Sequence, residues 1–266
     1  MKKPITRSFI LSLLVFAMVA CQAAVPSGDS QSVKRSHFPA EQTIALAKKL
    51  EQTLQDEGVR VAIVGRIGRP LAELPEGMHF THVGFAVYSD ITAADGRRLP
   101  GYRMYNLYQK RGKPNISELV RDDPSDFFAG VTRLEAGVII PSVQLQQRLY
   151  EVIMSPAYAK LHDPHYSLIA NPYTEGRQNC TEFVLDVLNA AMYQTSDLRI
   201  LKTVAKNYFV AQPVKVNPLK VMLGAVFNPE ISISDQQGAP ETATFETLGK
   251  YLESYDSGSK MIEVLP

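Results

Sequence analysis

Between Pro39 and Gly58, the apolar residues Ile44, Ala47, Leu50 and Leu54 recur at helical spacing, with Lys48, Lys49, Glu51 and Gln52 left for a wet face. This predicts one amphipathic helix. The period then changes. β-Branched residues over 59–67 and alternating stretches over 82–88 and 102–108 predict three strands. Ala94-Asp95-Gly96 and Pro100-Gly101 supply turn chemistry between the second and third, which makes those two antiparallel neighbours. Residues 115–126 read as a short helix and 137–141 as a buried strand. Val143, Leu145, Leu149, Val152 and Ile153 form a helix stripe that ends before Pro156.

Beyond Tyr166 the pattern is mainly helical, with segments over 179–193, 198–208 and, more weakly, 218–227. Short strands are expected over 231–234 and 261–264, flanking a helix over 245–255. Strands gather before Pro141 and helices after it, which favours an α+β fold over an alternating α/β sheet.

The N-terminus follows different rules. Lys2, Lys3 and Arg7 precede an apolar run from Phe9 to Ala20 that ends in small residues, the layout of a secretory signal and too short for a bilayer span. Two exits fit. Met18-Val19-Ala20-Cys21 resembles a lipobox, which would make Cys21 a lipid anchor, and Cys21-Gln22-Ala23 resembles an A-x-A cleavage site. Residues 24–39 are rich in Ser, Pro and Gly and read as a tether, so 40–266 is expected to be a single domain after a signal over 1–23. Export to a bacterial periplasm, or anchoring as a lipoprotein, is the expected localisation.

Lys2, Lys3 and Arg7 are the only charges in residues 1–23, so their removal takes the formal net charge from +1 to −2. A near-neutral surface gives no electrostatic reason to expect nucleic acid or an anionic bilayer as partner. Membrane contact is expected only through an N-terminal anchor. The chain has 2 Cys in all, so Cys180 would be the single thiol kept after cleavage at Ala23.

Asn179-Cys180-Thr181-Glu182 has the form of a capping box that puts Cys180 at the first helical position, where the positive helix end favours a thiolate. Against this, Cys180, Phe183, Val184, Val187, Leu188 and Ala191 share one apolar stripe, so that helix alone favours an inert core thiol, and a nearby base is what would change the reading. His82 is the candidate base. Alternation puts Val83, Phe85 and Val87 on a core face and His82, Gly84 and Ala86 on the other, where two nearly absent side chains leave room for a helix end or a substrate. Asn106, in the neighbouring strand, is the candidate orienting group. His79, in the loop before the strand, is the alternative base. His162-Asp163-Pro164-His165 is a weak metal signal in a loop, and no cofactor or metal is expected.

These residues resemble a known family. Thr81-His82-Val83-Gly84, Asp122-Asp123-Pro124 with Asp126-Phe127-Phe128, Leu161-His162-Asp163-Pro164 with Tyr166-Ser167, and Gln178-Asn179 look like the bacterial domain-of-unknown-function family 2145. More distantly, His82-Val83-Gly84 followed nearly a hundred residues later by Asn179-Cys180-Thr181-Glu182 is similar to the circularly permuted NlpC-type papain-like hydrolases. That resemblance implies a papain-like α+β fold whose His strand packs against the N-terminus of the Cys helix. It also implies Cys180 as nucleophile, His82 as base and Asn106 as third group. Backbone N–H groups at the helix start would form an oxyanion hole, with Tyr166, Tyr173 and Asn179 as neighbouring donors or pocket residues. The function implied is an exported cysteine hydrolase or acyltransferase acting on peptidoglycan peptides or lipid acyl groups. The alternative is a catalytically silent envelope protein that binds a peptide or lipid in the same groove.

Overall fold

The computed structural model describes residues 37–92, 95–214 and 230–266. Cys21, the expected signal and the helix expected over 218–227 lie outside them. Among the described residues the fold is α+β, with seven helices around a six-stranded antiparallel sheet whose strands lie in the order 113–122, 98–110, 82–92, 61–66, 136–140 and 260–264.

Helix α1 (Ala40–Asp56) buries Leu46, Ala47, Leu50 and Leu54 on one stripe, while Ile44 faces solvent. Strands β2 (His82–Thr92) and β3 (Arg98–Lys110) pair antiparallel as the turn residues between them require, and β1 (Val61–Arg66) lies antiparallel on the other side of β2. The stretch 115–126, read from sequence as a helix, is instead strand β4 (Lys113–Asp122) and one turn of helix, α2 (Pro124–Phe127). Its apolar residues Ile116, Leu119 and Val120 suit either period. The tight turn at Gly112, with φ of 74°, returns the chain alongside β3 and decides for the strand.

Strand β5 (Ala136–Ile140) lies between β1 and the edge strand β8 (Lys260–Val264). Helix α3 (Val143–Ile153) starts on a Ser142 cap that leaves Val143 in solvent, outside the buried stripe. The chain does not stop being helical at Pro156. That proline takes the first turn of a new helix, α4 (Pro156–Lys160), capped by Ser155. Helices α5 (Cys180–Tyr193), α6 (Leu198–Tyr208) and α7 (Phe245–Tyr255) follow. A two-residue ladder joins β6 (Gln212–Pro213) to β7 (Glu241–Thr242). Residues 231–234 form no strand, because Ser232 exchanges its backbone hydrogen bonds with the Ser167 hydroxyl instead of with a ladder.

The sheet separates two apolar layers. On one face Val61, Ile63, Val83, Phe85 and Ile139 pack under α3, α5, α6 and α7. On the other, Ala62, Val64, Ala86, Met104 and Val138 pack under α1 and α2. Two glycines let aromatic rings reach the first face at its centre. A Cβ on Gly137 would lie 2.5 Å from the Phe80 ring and 2.8 Å from that of Phe245. Gly137→Ala is therefore expected to cost about 1–3 kcal/mol by overpacking. Urea unfolding checks this as a lower midpoint at unchanged slope, and an unchanged midpoint would mean that the rings repack freely.

Candidate active site

His82 opens β2, opposite Arg66 at the end of β1, and its side chain is fully buried. It faces the α1–α2 layer, as alternation with Val83 and Phe85 requires. The room that Gly84 leaves is filled by Asn106, one strand over. A Cβ on Gly84 would meet Asn106 Oδ1 at 2.2 Å. The expectation that a helix end or a substrate takes this space is thus corrected: the imidazole is stacked on Tyr108 at 4.7 Å and flanked by Phe127 at 5.7 Å.

His82 Nε2 and Asn106 Oδ1 are 3.3 Å apart, so the structure brings together the expected base and its orienting group. Sequence reasoning did not foresee what holds Asn106. Its Nδ2 donates to Asp122 Oδ2 at 3.2 Å, and the same oxygen accepts from the Tyr108 hydroxyl at 2.7 Å. Arg66, buried at the end of β1, donates from Nη1 to the Tyr108 hydroxyl at 3.3 Å and to the Phe127 carbonyl. With its amide nitrogen on a carboxylate, Asn106 has to present the carbonyl oxygen to His82. Nε2 then carries the hydrogen and Nδ1 the basic lone pair. Burial, and secondarily the Arg66 charge, hold the His82 pKa well below 6.5 and keep the ring neutral. Burial also raises the Asp122 carboxyl, an effect that the Tyr108 hydroxyl opposes.

Cys180 is the first residue of α5 and is buried. Asn179 caps the helix, with its Oδ1 accepting from the Glu182 N–H at 2.9 Å and its Nδ2 donating to the Leu168 carbonyl and the Thr242 hydroxyl. Its amide is therefore committed to the loop structure around the helix start. The Tyr173 hydroxyl donates to the Phe209 carbonyl and accepts from the Ala211 N–H. Tyr166 is buried and forms an isolated bridge with Gln178. The Cys180 sulfur lies 3.9 Å from the Thr181 hydroxyl.

Helix α5 packs across β2 and β3, but on the face away from His82. Phe183, Val184 and Val187 share one apolar layer with Val83 and Phe85, and Cys180 opens the helix. His82 and Cys180 do share one end of the sheet. The Tyr166 N–H donates to the Asn115 carbonyl beside the start of β4, and Gln178 pairs with Tyr166 just before the Cys180 helix.

The half of the capping box that would use the Glu182 side chain does not form. Glu182 instead turns into a fully buried cluster, where Lys202 of α6 donates to its Oε1 at 2.6 Å and to both oxygens of Asp186 at 2.9 Å. Gln178 Nε2 also reaches Asp186, at 2.9 Å. The other histidines are placed separately. His162 meets the Ser117 hydroxyl at 2.9 Å, His165 pairs with Asp163, and His79 pairs with Glu135.

Residues 53–252 match the model of DUF2145, described as an uncharacterized protein conserved in bacteria. The chain belongs to this family. The pieces that carried the resemblance meet in the DUF2145 fold: Asp122 anchors Asn106, Phe127 flanks His82, and Gln178 bonds the Asp163 N–H and the Leu161 carbonyl. No curated protein and no solved structure matches the chain.

Proposed function

We propose that this DUF2145 protein is an exported cysteine hydrolase or acyltransferase of papain-like, permuted NlpC-type fold, with Cys180 as nucleophile, His82 as general base and Asn106 as the residue that positions it. One observation carries the reading: Asn106, locked by Asp122, fixes the neutral His82 ring in the tautomer whose Nδ1 can take a proton. Cys180 contributes the first position of a capped helix, whose positive end can stabilise a developing oxyanion.

In this scheme Cys180 Sγ passes its proton to Nδ1 and attacks the carbonyl carbon. The leaving amine or alcohol takes that proton, and water or an acceptor hydroxyl cleaves the thioester. The reading requires Sγ to meet Nδ1 past the first residue of β2, where the two faces of the sheet adjoin. Substrates are amides or esters of the bacterial envelope, peptidoglycan peptides first and lipid acyl groups second. No helix among the described residues is long and apolar enough to cross a membrane.

Labelling with an acyl-type thiol probe, located by peptide mapping, tests this. Cys180 is expected to react at least tenfold faster than an unstructured thiol at pH 7, and to lose that advantage in a folded His82→Ala variant. Reaction no faster than an unstructured thiol, unchanged by His82→Ala, would leave the silent binding protein as the function. The mass of the mature N-terminus separates a lipidated Cys21 from a chain that begins at Ala24.

A further inference from the structure

A second cluster lies where the loop before β2 meets the sheet edge formed by β5 and β8. His79 Nε2, a Glu135 oxygen and a Glu263 oxygen all lie within 4.8 Å of one another. Each comes from a different part of the chain: His79 from the loop that leads into β2, Glu135 from the residue before β5, and Glu263 from edge strand β8, opposite Gly137. The geometry points to a divalent-cation site at these three side chains, of the borderline class that zinc represents, with water completing the coordination.

Four features support the assignment. The donor set is one imidazole nitrogen and two carboxylate oxygens, a combination that zinc accepts and that carries two negative charges for the ion to neutralise. The spacing is close to what coordination needs, since ligand bonds of about 2.0–2.2 Å in a tetrahedron hold neighbouring ligand atoms roughly 3.4 Å apart. Glu263 is exposed on a strand edge and can swing in by that small difference. Two of the ligands are also built in. Glu135 is buried, and its second oxygen is held by Arg133 Nε at 3.3 Å, which leaves the oxygen on His79 to turn toward an ion. Finally, the main chain at His79 is pinned by Glu246, whose Oε1 accepts from the His79 N–H at 3.0 Å and the Phe80 N–H at 3.3 Å. Supports of this kind behind the ligands set the direction of a coordinating ring.

An ion here would tie the loop before β2 to β5 and β8, a structural role independent of Cys180 chemistry. The competing account is a plain His79–Glu135 ion pair that needs no metal. Zinc titrated calorimetrically into the chelator-stripped protein separates them. One saturable site is expected in the wild type and in Cys180→Ser and His162→Ala. Affinity should fall at least tenfold in His79→Ala and in Glu263→Gln, the latter at an exposed position that does not threaten folding. The wild type should also melt higher with zinc, and His79→Ala should not. No saturable binding in the wild type, or binding that His79→Ala and Glu263→Gln leave intact, overturns the site. Retention of binding in Cys180→Ser keeps this outcome separate from that of the hydrolase reading.

Discussion

Replacing Lys202 with Met is expected to destabilise the protein by about 3–5 kcal/mol at neutral pH, the cost of removing one partner from a buried ionic cluster. Lys202 is the cation that both Glu182 and Asp186 share, and both carboxylates are fully buried. Without it, two carboxylates on adjacent turns of α5 face each other in an apolar layer and have to take up protons to stay there. Burial already raises the pKa of both, against the pull of Lys202. A carboxyl whose folded pKa is raised adds stability that is complete below its unfolded value, near 4, and is lost as pH rises through the folded value. The deficit of Lys202→Met should therefore be largest at neutral pH and shrink toward pH 4. Urea unfolding across that range checks it, and a deficit that does not vary with pH would point to lost packing of the lysine stem instead. Replacing all three residues by apolar ones of similar volume should recover most of the loss, because the burden lies in the uncompensated charge.

Asn106→Ala is expected to slow Cys180 acylation by a factor of about 10²–10⁴, the scale on which a catalytic imidazole suffers when its tautomer is no longer held. The substitution removes the acceptor from His82 Nε2 and the donor from Asp122. A stability loss of about 1–3 kcal/mol should accompany it, since the Nε2 hydrogen stays buried. Gly84→Ala is a second route to the same defect, because its Cβ would sit on Asn106 Oδ1 and push the amide aside. Parallel losses of labelling rate in the two variants would tie the effect to the orientation of Asn106. Full labelling in both would remove Asn106 from the mechanism.

The buried ring also sets a pH dependence. The folded protein keeps His82 neutral well below pH 6.5, whereas the unfolded chain binds a proton there. Stability should accordingly fall as pH drops below about 6.5, and His82→Gln should flatten that part of the curve. A thermal melt series between pH 7.5 and 5 reads this directly.

The period-two alternation around His82 and the capped start at Asn179 were legible because each is a local rule, a pleat in one case and a hydrogen bond three residues on in the other. Asn106 was legible as a polar residue in the adjoining strand, an interior strand of the sheet. Strand β4 was not legible. Its apolar residues satisfy two periods, and pairing with β3 decides between them. The partners of the site were hidden for a related reason. Asp122 lies 16 residues from Asn106, and Lys202 lies 20 residues from Glu182; no spacing rule joins positions that meet only through strand register or helix packing.

By itself the sequence determined the α+β class, the family, the position of the thiol at a helix start, and which residues of β2 share a face with His82. Those follow from dihedral periodicity and capping, which act over a few residues. Tertiary structure alone decided which layer covers each face. It thereby placed His82 under α1 and α2, laid helix α5 on the opposite face, and let Asp122 choose the imidazole tautomer. Alternation fixes sides only relative to neighbours, and the absolute side is set by which helices return to bury it.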